Sequence, residues 1–202
     1  MITKYIVLDM RRFSSIFIGL LCFFQVGFAQ NKYEKESRIK KEAFPEKAYD
    51  LISAYLENAK RVRFYQESDS TKKSFEAKFK KGRLHYSVEF NAEGDLEDVE
   101  FIIREFDIPE DTWNTIKSYL SSNYPKLRIK KIQQQHPLTE DDPEKTVYEA
   151  FQNLMLPHIN YEIIFSSKKE RKFQSYEALF NAEGNLVNIR KSFPPSYDHV
   201  LY

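Results

Sequence analysis

The sequence predicts an α+β protein of two tandem repeats, each a helix packed on an antiparallel sheet of about four strands, with an extra helix inserted in the second repeat. Three observations predict this fold class. They are an internal repeat, helical spacing of apolar residues at the start of each copy, and alternation of apolar and polar residues after it. In the chain of 202 residues, the copies occupy residues 43–106 and 107–195.

Two segments of the chain recur in the same order. Residues 86–96 read YSVEFNAEGDL and residues 176–186 read YEALFNAEGNL, so seven of eleven positions are identical. Upstream of these, FPEKAYDLISAYL at residues 44–56 resembles IPEDTWNTIKSYL at residues 108–120. Recurrence of both segments in one order indicates a duplicated unit.

The upstream segments are predicted to be helices. Pro45 and Pro109 suit the first turn of a helix, where a missing backbone N–H leaves no hydrogen bond unmade. Apolar residues then follow at helical spacing in both copies, namely Ala48, Leu51, Ile52 and Tyr55 in the first and Trp113, Ile116 and Leu120 in the second. Each copy therefore opens with an amphipathic helix that buries one face.

The downstream segments are predicted to be strands joined by hairpins. Phe75, Ala77 and Phe79 alternate with charged residues, which is the period of a half-buried strand. The shared Asn-Ala-Glu-Gly predicts a tight turn, in which Gly94 or Gly184 takes a left-handed backbone conformation. A calcium loop at Asn91, Glu93 and Asp95 is the alternative, but a calcium loop needs more ligands and a distal bidentate carboxylate.

The second copy carries an insertion at about residues 134–157. Asp142 and Pro143 are typical of a helix cap and first turn. An apolar stripe follows, made of Val147, Ala150, Phe151, Leu154 and Met155. The helix is predicted to pack on the core, and a partner-binding helix remains the alternative.

The N-terminal segment, residues 1–29, is predicted to be a cleavable signal peptide. An apolar run at residues 13–29 follows two arginines and ends in small residues, which predicts a cut between Ala29 and Gln30. An uncleaved membrane anchor is the alternative, although the run is at the short limit for a span. Met10 is a second candidate start. Residues 30–42 are predicted to be a linker and residues 196–202 a C-terminal tail.

Composition excludes several chemistries. Loss of residues 1–29 changes the formal charge from +1 to −1 and removes the one cysteine, so neither nucleic-acid binding nor thiol chemistry is expected. The three remaining glycines cannot form a phosphate-binding loop. No histidine pair has the spacing of a zinc site. We therefore expect no cofactor, no metal and no enzymatic activity.

The chain resembles the PepSY-like, β-lactamase-inhibitor-like proteins exported by Bacteroidetes-type bacteria. The resemblance rests on residues 75–79, 86–96, 161–165 and 176–186, where one strand follows the pattern aromatic-x-x-x-Phe and a second ends in Phe-Asn before a glycine turn. It covers most of residues 43–193. It implies tandem helix-on-sheet units, a periplasmic or secreted location and no established activity.

The leading hypothesis for function is an exported, non-catalytic, inhibitor-like module of the cell envelope that binds a protein or peptide. The open sheet face of copy one is the predicted binding surface, because aromatic and arginine side chains among charges are typical of interfaces. Its candidate residues are Arg61, Arg63, Tyr65, Glu76, Lys78, His85, Glu89 and Glu100. The alternative is a carrier of a small ligand or lipid, with an apolar pocket at Phe151, Leu154 and Met155. An enzyme that uses carboxylates is the third class.

Overall fold

The computed structural model describes residues 31–32, 35–68, 72–169 and 172–192. The predicted signal peptide and C-terminal tail lie outside the described residues, as does part of the predicted linker. Within the described ranges, no helix combines the length and apolar character that crossing a membrane requires.

Three α-helices and ten strands make up the described chain. The helices are α1 (Glu46–Leu56), α2 (Glu110–Asn123) and α3 (Pro143–Phe151). The strands are β1 (Asn31–Lys32), β2 (Lys35–Ile39), β3 (Lys60–Ser68), β4 (Lys73–Lys81), β5 (Leu84–Asn91), β6 (Leu96–Ile103), β7 (Arg128–Pro137), β8 (Asn160–Lys169), β9 (Lys172–Asn181) and β10 (Leu186–Ser192). Short 3-10 turns at Lys41–Ala43 and Glu105–Asp107 precede α1 and α2.

These ten strands form one sheet, in the order β1-β10-β9-β8-β7-β6-β5-β4-β3-β2. The run from β2 to β10 is antiparallel throughout, and β1 adds to β10 in parallel. The prediction of two helix-on-sheet repeats is therefore wrong. A single antiparallel sheet continues through the boundary between the two sequence copies.

Pairing between β6 and β7 explains this correction. β6 ends the first copy and β7 belongs to the second, and they pair from Asp98 opposite Pro137 to Ile103 opposite Ile132. Two separate sheets would leave a row of backbone N–H and C=O groups unpaired at each of these edges. The period-2 pattern identifies a strand but does not show which strand it pairs with.

The sheet is strongly curved, because its two ends lie near each other. β1 ends at Lys32 beside β10, and β2 begins at Lys35 beside β3. The three Cα–Cα steps from Lys32 to Lys35 span at most about 11 Å. In a flat sheet, the nine strand spacings between β1 and β2 would cover roughly 43 Å. Arg190 in β10 also acts electrostatically on Glu89 in β5, so the polar face of the sheet is the concave one.

The opposite face carries the core. Residues from the three helices and from the sheet form one continuous buried apolar cluster. α1 buries Ala48 and Ile52, while α2 buries Ile116 and Leu120. Because alternate side chains of a strand point to opposite faces, this packing leaves the intervening polar residues of the strands for the concave face.

The two Asn-Ala-Glu-Gly segments form matching hairpin turns. In the first, the Asn91 side-chain oxygen accepts hydrogen bonds from the backbone N–H of Glu93 (3.0 Å) and of Asp95 (2.9 Å). In the second, Asn181 accepts the backbone N–H of Asn185 at 2.8 Å. Each asparagine therefore acts as the acceptor that closes a turn, and the predicted turns are confirmed.

The inserted helix α3 packs on the core. Its Asp142 cap accepts the backbone N–H of Lys145 at 2.9 Å. Phe151 stacks on Tyr55 of α1 and Tyr86 of β5, with ring centroids 4.2 and 4.5 Å apart. Aromatic rings thus join α3 to α1 and β5. Leu154 and Met155, which follow the helix, are exposed.

Candidate functional site

Three acidic residues form a row across the concave face. Glu76 of β4 lies opposite Glu89 of β5, which lies opposite Asp98 of β6. Like charges directly opposite each other destabilise a sheet. A fold that keeps three acids in one cross-strand row therefore needs cations or hydrogen-bond donors close to them.

The row lines a cavity of about 450 Å³ on this face. Eight acidic and four basic side chains surround the cavity, together with His85, so the formal charge of the lining is negative by four. The acids are Glu67, Glu76, Glu89, Glu97, Asp98, Glu100, Glu162 and Glu177, and the bases are Lys72, Lys78, Lys131 and Arg190. Coulomb energies increase where water is partly excluded, so the cavity favours a cationic occupant.

One group of carboxylates holds a cation of the protein itself. Oxygens of Glu36, Glu67 and Glu76 lie within 4.8 Å of one another. The Lys78 ammonium lies 3.1 Å from Glu36 Oε1 and 2.7 Å from Glu76 Oε2. Burial would raise the pKa of Glu76, but Lys78 and the Ser87 hydroxyl, which donates to it, lower that pKa below its ordinary value.

A second group of carboxylates is bonded to neutral amides. Oxygens of Glu89, Asp98 and Glu100 also lie within 4.8 Å of one another. The Gln133 amide donates to Glu100 Oε2 at 2.5 Å, and the Gln135 amide donates to Glu100 Oε1 and to Asp98 Oδ2, both at 3.1 Å. In the described part of the chain, neither Asp98 nor Glu100 forms an ion pair.

Burial and mutual repulsion act together on this second group. The pKa of Asp98 is raised well above its ordinary value by burial and then by Glu89 and other acids. Burial, Asp98 and Glu89 raise the pKa of Glu100 in the same way. The ionised form of each carboxyl is therefore disfavoured unless a positive charge enters the cavity.

The β8–β10 side of the cavity contains a third carboxyl with a raised pKa and also an ion pair. Burial and the charge of Glu100 raise the pKa of Glu162 well above its ordinary value. Arg190 pairs with Glu177, its cross-strand neighbour, through Nε at 2.9 Å and through a second guanidinium nitrogen. Of the other basic side chains, Lys78 pairs within the Glu36 group and Lys72 pairs with Glu97. Lys131 acts electrostatically on Glu76, Glu100 and Glu162 and lowers the pKa of each, but burial and the neighbouring acids outweigh it at Glu100 and Glu162.

The structure brings together five of the eight residues predicted for binding. The five that line the cavity are Glu76, Lys78, His85, Glu89 and Glu100. Tyr65 is buried beneath the Lys78 ammonium, which lies 5.0 Å from the centre of its ring.

Two predicted arginines lie outside the lining. Arg61 is exposed at a bulge of β3, with a backbone φ of 56°. Arg63 lies opposite Lys78 in the β3–β4 pairing and is partly buried.

Sequence reasoning missed the half of the cavity that comes from the second copy. Gln133 and Gln135 of β7, Glu162 of β8 and Glu177 of β9 all line it. Asp98 is likewise absent from the residues predicted for binding. The signal that could have identified it is that Asp98 and Glu100 are two residues apart in a strand, and so share the face opposite to Val99.

Carboxylate and amide oxygens of this kind can hold a cation, whether a metal ion or an ammonium. The fold and the cavity together define a class of protein: a curved antiparallel sheet with helices on its outer face and an acidic cavity on its inner face.

Solved structures of several Bacteroides proteins are similar to this chain. A DUF2874 family protein from Bacteroides ovatus is similar at 12% identity, over 73% of this chain and 87% of that chain, with a TM-score of 0.49. A BLIP-like protein from Bacteroides fragilis is similar at 11% identity, over 78% and 92%, with a TM-score of 0.46. A protein from Bacteroides eggerthii, provisionally assigned to the periplasm, is similar at 10% identity, over 73% and 88%, with a TM-score of 0.48.

No protein-family model and no curated protein matches the sequence. The similar solved structures agree with the predicted resemblance in its coarser part, since they are DUF2874 family proteins of Bacteroides and a BLIP-like protein. The PepSY-like part of that resemblance stays a prediction.

Proposed function

We propose that the protein is an exported, non-catalytic binding module of the cell envelope, and that it takes a basic segment of a protein or peptide into the acidic cavity. One observation carries the proposal: eight acids face four bases around about 450 Å³. A segment that brings a positive charge would relieve the repulsion among the cavity acids. Binding energy would then come from charges that the fold itself leaves incompletely balanced.

The volume of the cavity favours a side chain over a larger ligand. About 450 Å³ is at the small end of the range for ligand pockets. One or two long basic side chains fit such a space, while the rest of a peptide would stay at its mouth. Affinity would therefore depend on the charge of a few residues and would fall with added salt, because exposed parts of the contact are screened.

A matched pair of peptides tests this proposal by calorimetry. A short peptide with two lysines and one arginine is expected to bind, and the same peptide with glutamates at those positions is not. The double variant Glu89→Gln/Glu162→Gln should weaken binding about tenfold or more, since it removes two charges that line the cavity. The control Glu93→Gln/Glu183→Gln changes two exposed turn residues by the same charge and should bind as the wild type does. Equal binding of both peptides would contradict the proposal.

Export rests on the sequence of residues 1–29 and has its own test. Expression with the native N-terminus in a Gram-negative host should release a product that begins at Gln30, as measured by intact mass. A product that keeps residues 1–29 and stays in the membrane fraction would support the anchor alternative and contradict export by cleavage.

A further inference from the structure

The second carboxylate group repeats the arrangement that already holds Lys78. In the first group, the Lys78 ammonium contacts oxygens of Glu36 and Glu76, and an oxygen of Glu67 lies within 4.8 Å of oxygens of both acids. The second group also offers oxygens of three acids that lie within 4.8 Å of one another. The protein thus contains its own example of what such a group binds: a primary ammonium on a flexible chain.

The spacing of the oxygens fits an ammonium nitrogen. The three oxygens lie within 4.8 Å of one another, and at that upper limit a nitrogen centred among them is about 2.8 Å from each, which is the length of a charge-assisted N–H···O bond. An ammonium presents three donors around one point, whereas a guanidinium presents a flat fork that suits a single carboxylate. Three convergent acceptors therefore favour the ammonium.

An independent observation comes from Gln133 on the neighbouring strand. This side chain is only 3% exposed and lines the same cavity. Its amide nitrogen is bonded to Glu100, but its Oε1 is buried without a hydrogen-bond partner, as is Asp98 Oδ1. A buried carbonyl oxygen without a donor costs about 1–3 kcal/mol, and a ligand N–H group would satisfy it.

We propose that Asp98, Glu100 and Gln133, with Glu89 beside them, form a subsite for the primary ammonium of a lysine-like side chain. This inference rests on the proposed function and specifies which basic group enters the cavity. Oxygens of Asp98, Glu100 and Glu89 surround the ammonium and accept its hydrogen bonds, and the buried Gln133 Oε1, which lines the same cavity, is a further acceptor. The alkyl chain of the ligand leads out through the remaining volume, which a bare metal ion would leave empty.

Small model compounds test the subsite without any peptide. Calorimetry with Nα-acetyl-lysine methylamide should show saturable binding at one site per chain. Acetylation of the ε-amine removes the charge and should abolish that binding. The arginine counterpart should bind about tenfold more weakly, because a planar fork cannot use three convergent acceptors equally. Equal binding of the lysine and arginine compounds, or of the acetylated compound, would overturn the inference.

Variants add a second line of evidence. Asp98→Asn and Glu100→Gln should each weaken binding of the lysine compound about tenfold or more, whereas Glu93→Gln, on an exposed turn, should leave it unchanged. Calcium chloride is the competing probe: saturable calcium binding that Asp98→Asn abolishes, with no binding of the lysine compound, would also overturn the inference. If basic peptides bind only through arginine, the proposed function is supported and the lysine subsite is contradicted. If neither the basic peptide nor the lysine compound binds, both the proposed function and the subsite are contradicted.

Discussion

Gly184 lies directly against the backbone of Thr112. A Cβ at Gly184 would lie 2.7 Å from the Thr112 carbonyl oxygen and 3.1 Å from Thr115 Cβ, and the glycine has a φ of +85°. Gly94 stands in the same relation to α1, where a Cβ would meet Pro45 at 2.9 Å. Each hairpin turn therefore packs on the first turn of the helix that opens its own sequence copy.

Substitution of this glycine is expected to destabilise the fold. Gly184→Ala should lower the free energy of unfolding by about 2–4 kcal/mol, since it combines left-handed strain with a clash against backbone. Gly82→Ala is the matched control, because Gly82 has a φ of +60° but a Cβ added there would meet no atom within 4 Å. The control should cost only about 1 kcal/mol. Urea unfolding measures both, and equal losses would contradict the close approach.

Phe151 is expected to contribute more to stability than its position in an insertion suggests. Its ring stacks on Tyr55, Tyr86 and Phe79, with centroids 4.2, 4.5 and 6.0 Å away. Phe151→Ala should therefore cost roughly 3 kcal/mol. Phe106→Ala, at a ring that is 73% exposed, should cost little. A small loss for Phe151→Ala in chemical denaturation would show that α3 is not part of the core.

His136 is expected to make the fold sensitive to mild acid. Burial, and then the charge of His158, lower the pKa of His136 to about 4. The unfolded chain takes up this proton near pH 6.5 while the folded chain resists it, so stability is intact above pH 6.5 and falls as the pH drops towards 4. The loss in the free energy of unfolding should approach about 3 kcal/mol as the pH nears 4.

His136→Gln removes this titration and keeps a polar partner for Gln134, whose Nε2 lies 2.9 Å from His136 Nε2. Urea midpoints between pH 7.5 and 4.5 should fall less steeply for the variant than for the wild type. Parallel profiles would show that His136 is protonated in the folded protein.

Removal of one cavity charge is expected to stabilise the ligand-free protein. Burial, Glu100 and Glu177 raise the pKa of Glu162, so its ionised form weakens the fold at pH values above that raised pKa. Glu162→Gln should increase the melting temperature at pH 8, with each kcal/mol gained worth about 2–4 °C. The gain should shrink as the pH falls, because the wild-type carboxyl then becomes neutral in the fold. Glu110→Gln, on the exposed first turn of α2, is the control that should show no such gain.

The starts of the helices could be predicted from the sequence because the residues that begin a helix lie next to it in the chain. Pro45 and Pro109 precede α1 and α2, and Asp142 caps α3. The partners of each strand depend on contacts far apart in the sequence. The pairing of β6 with β7, which overturned the two-repeat fold, therefore left no periodic signal.

The same limit applies to the cavity. Alternation placed Lys78, Glu89 and Glu100 on one face, but the curvature that makes this face concave was not visible in the sequence. Glu162 and Gln133 reach the cavity because they are cross-strand partners, and β7 and β8 are separated by the insertion. Comparison of the two sequence copies identifies residues at equivalent positions. It does not show which residues of one copy face residues of the other across the cavity.

Direct titration of the Glu162 side-chain carboxyl by carbon NMR, with and without a lysine-containing peptide, tests the acidic cavity most directly. The free protein should show a Glu162 pKa well above the ordinary glutamate value, and the bound peptide should lower that pKa because a positive charge stabilises the ionised form. A Glu162 pKa in the ordinary range that the peptide leaves unchanged would contradict the account.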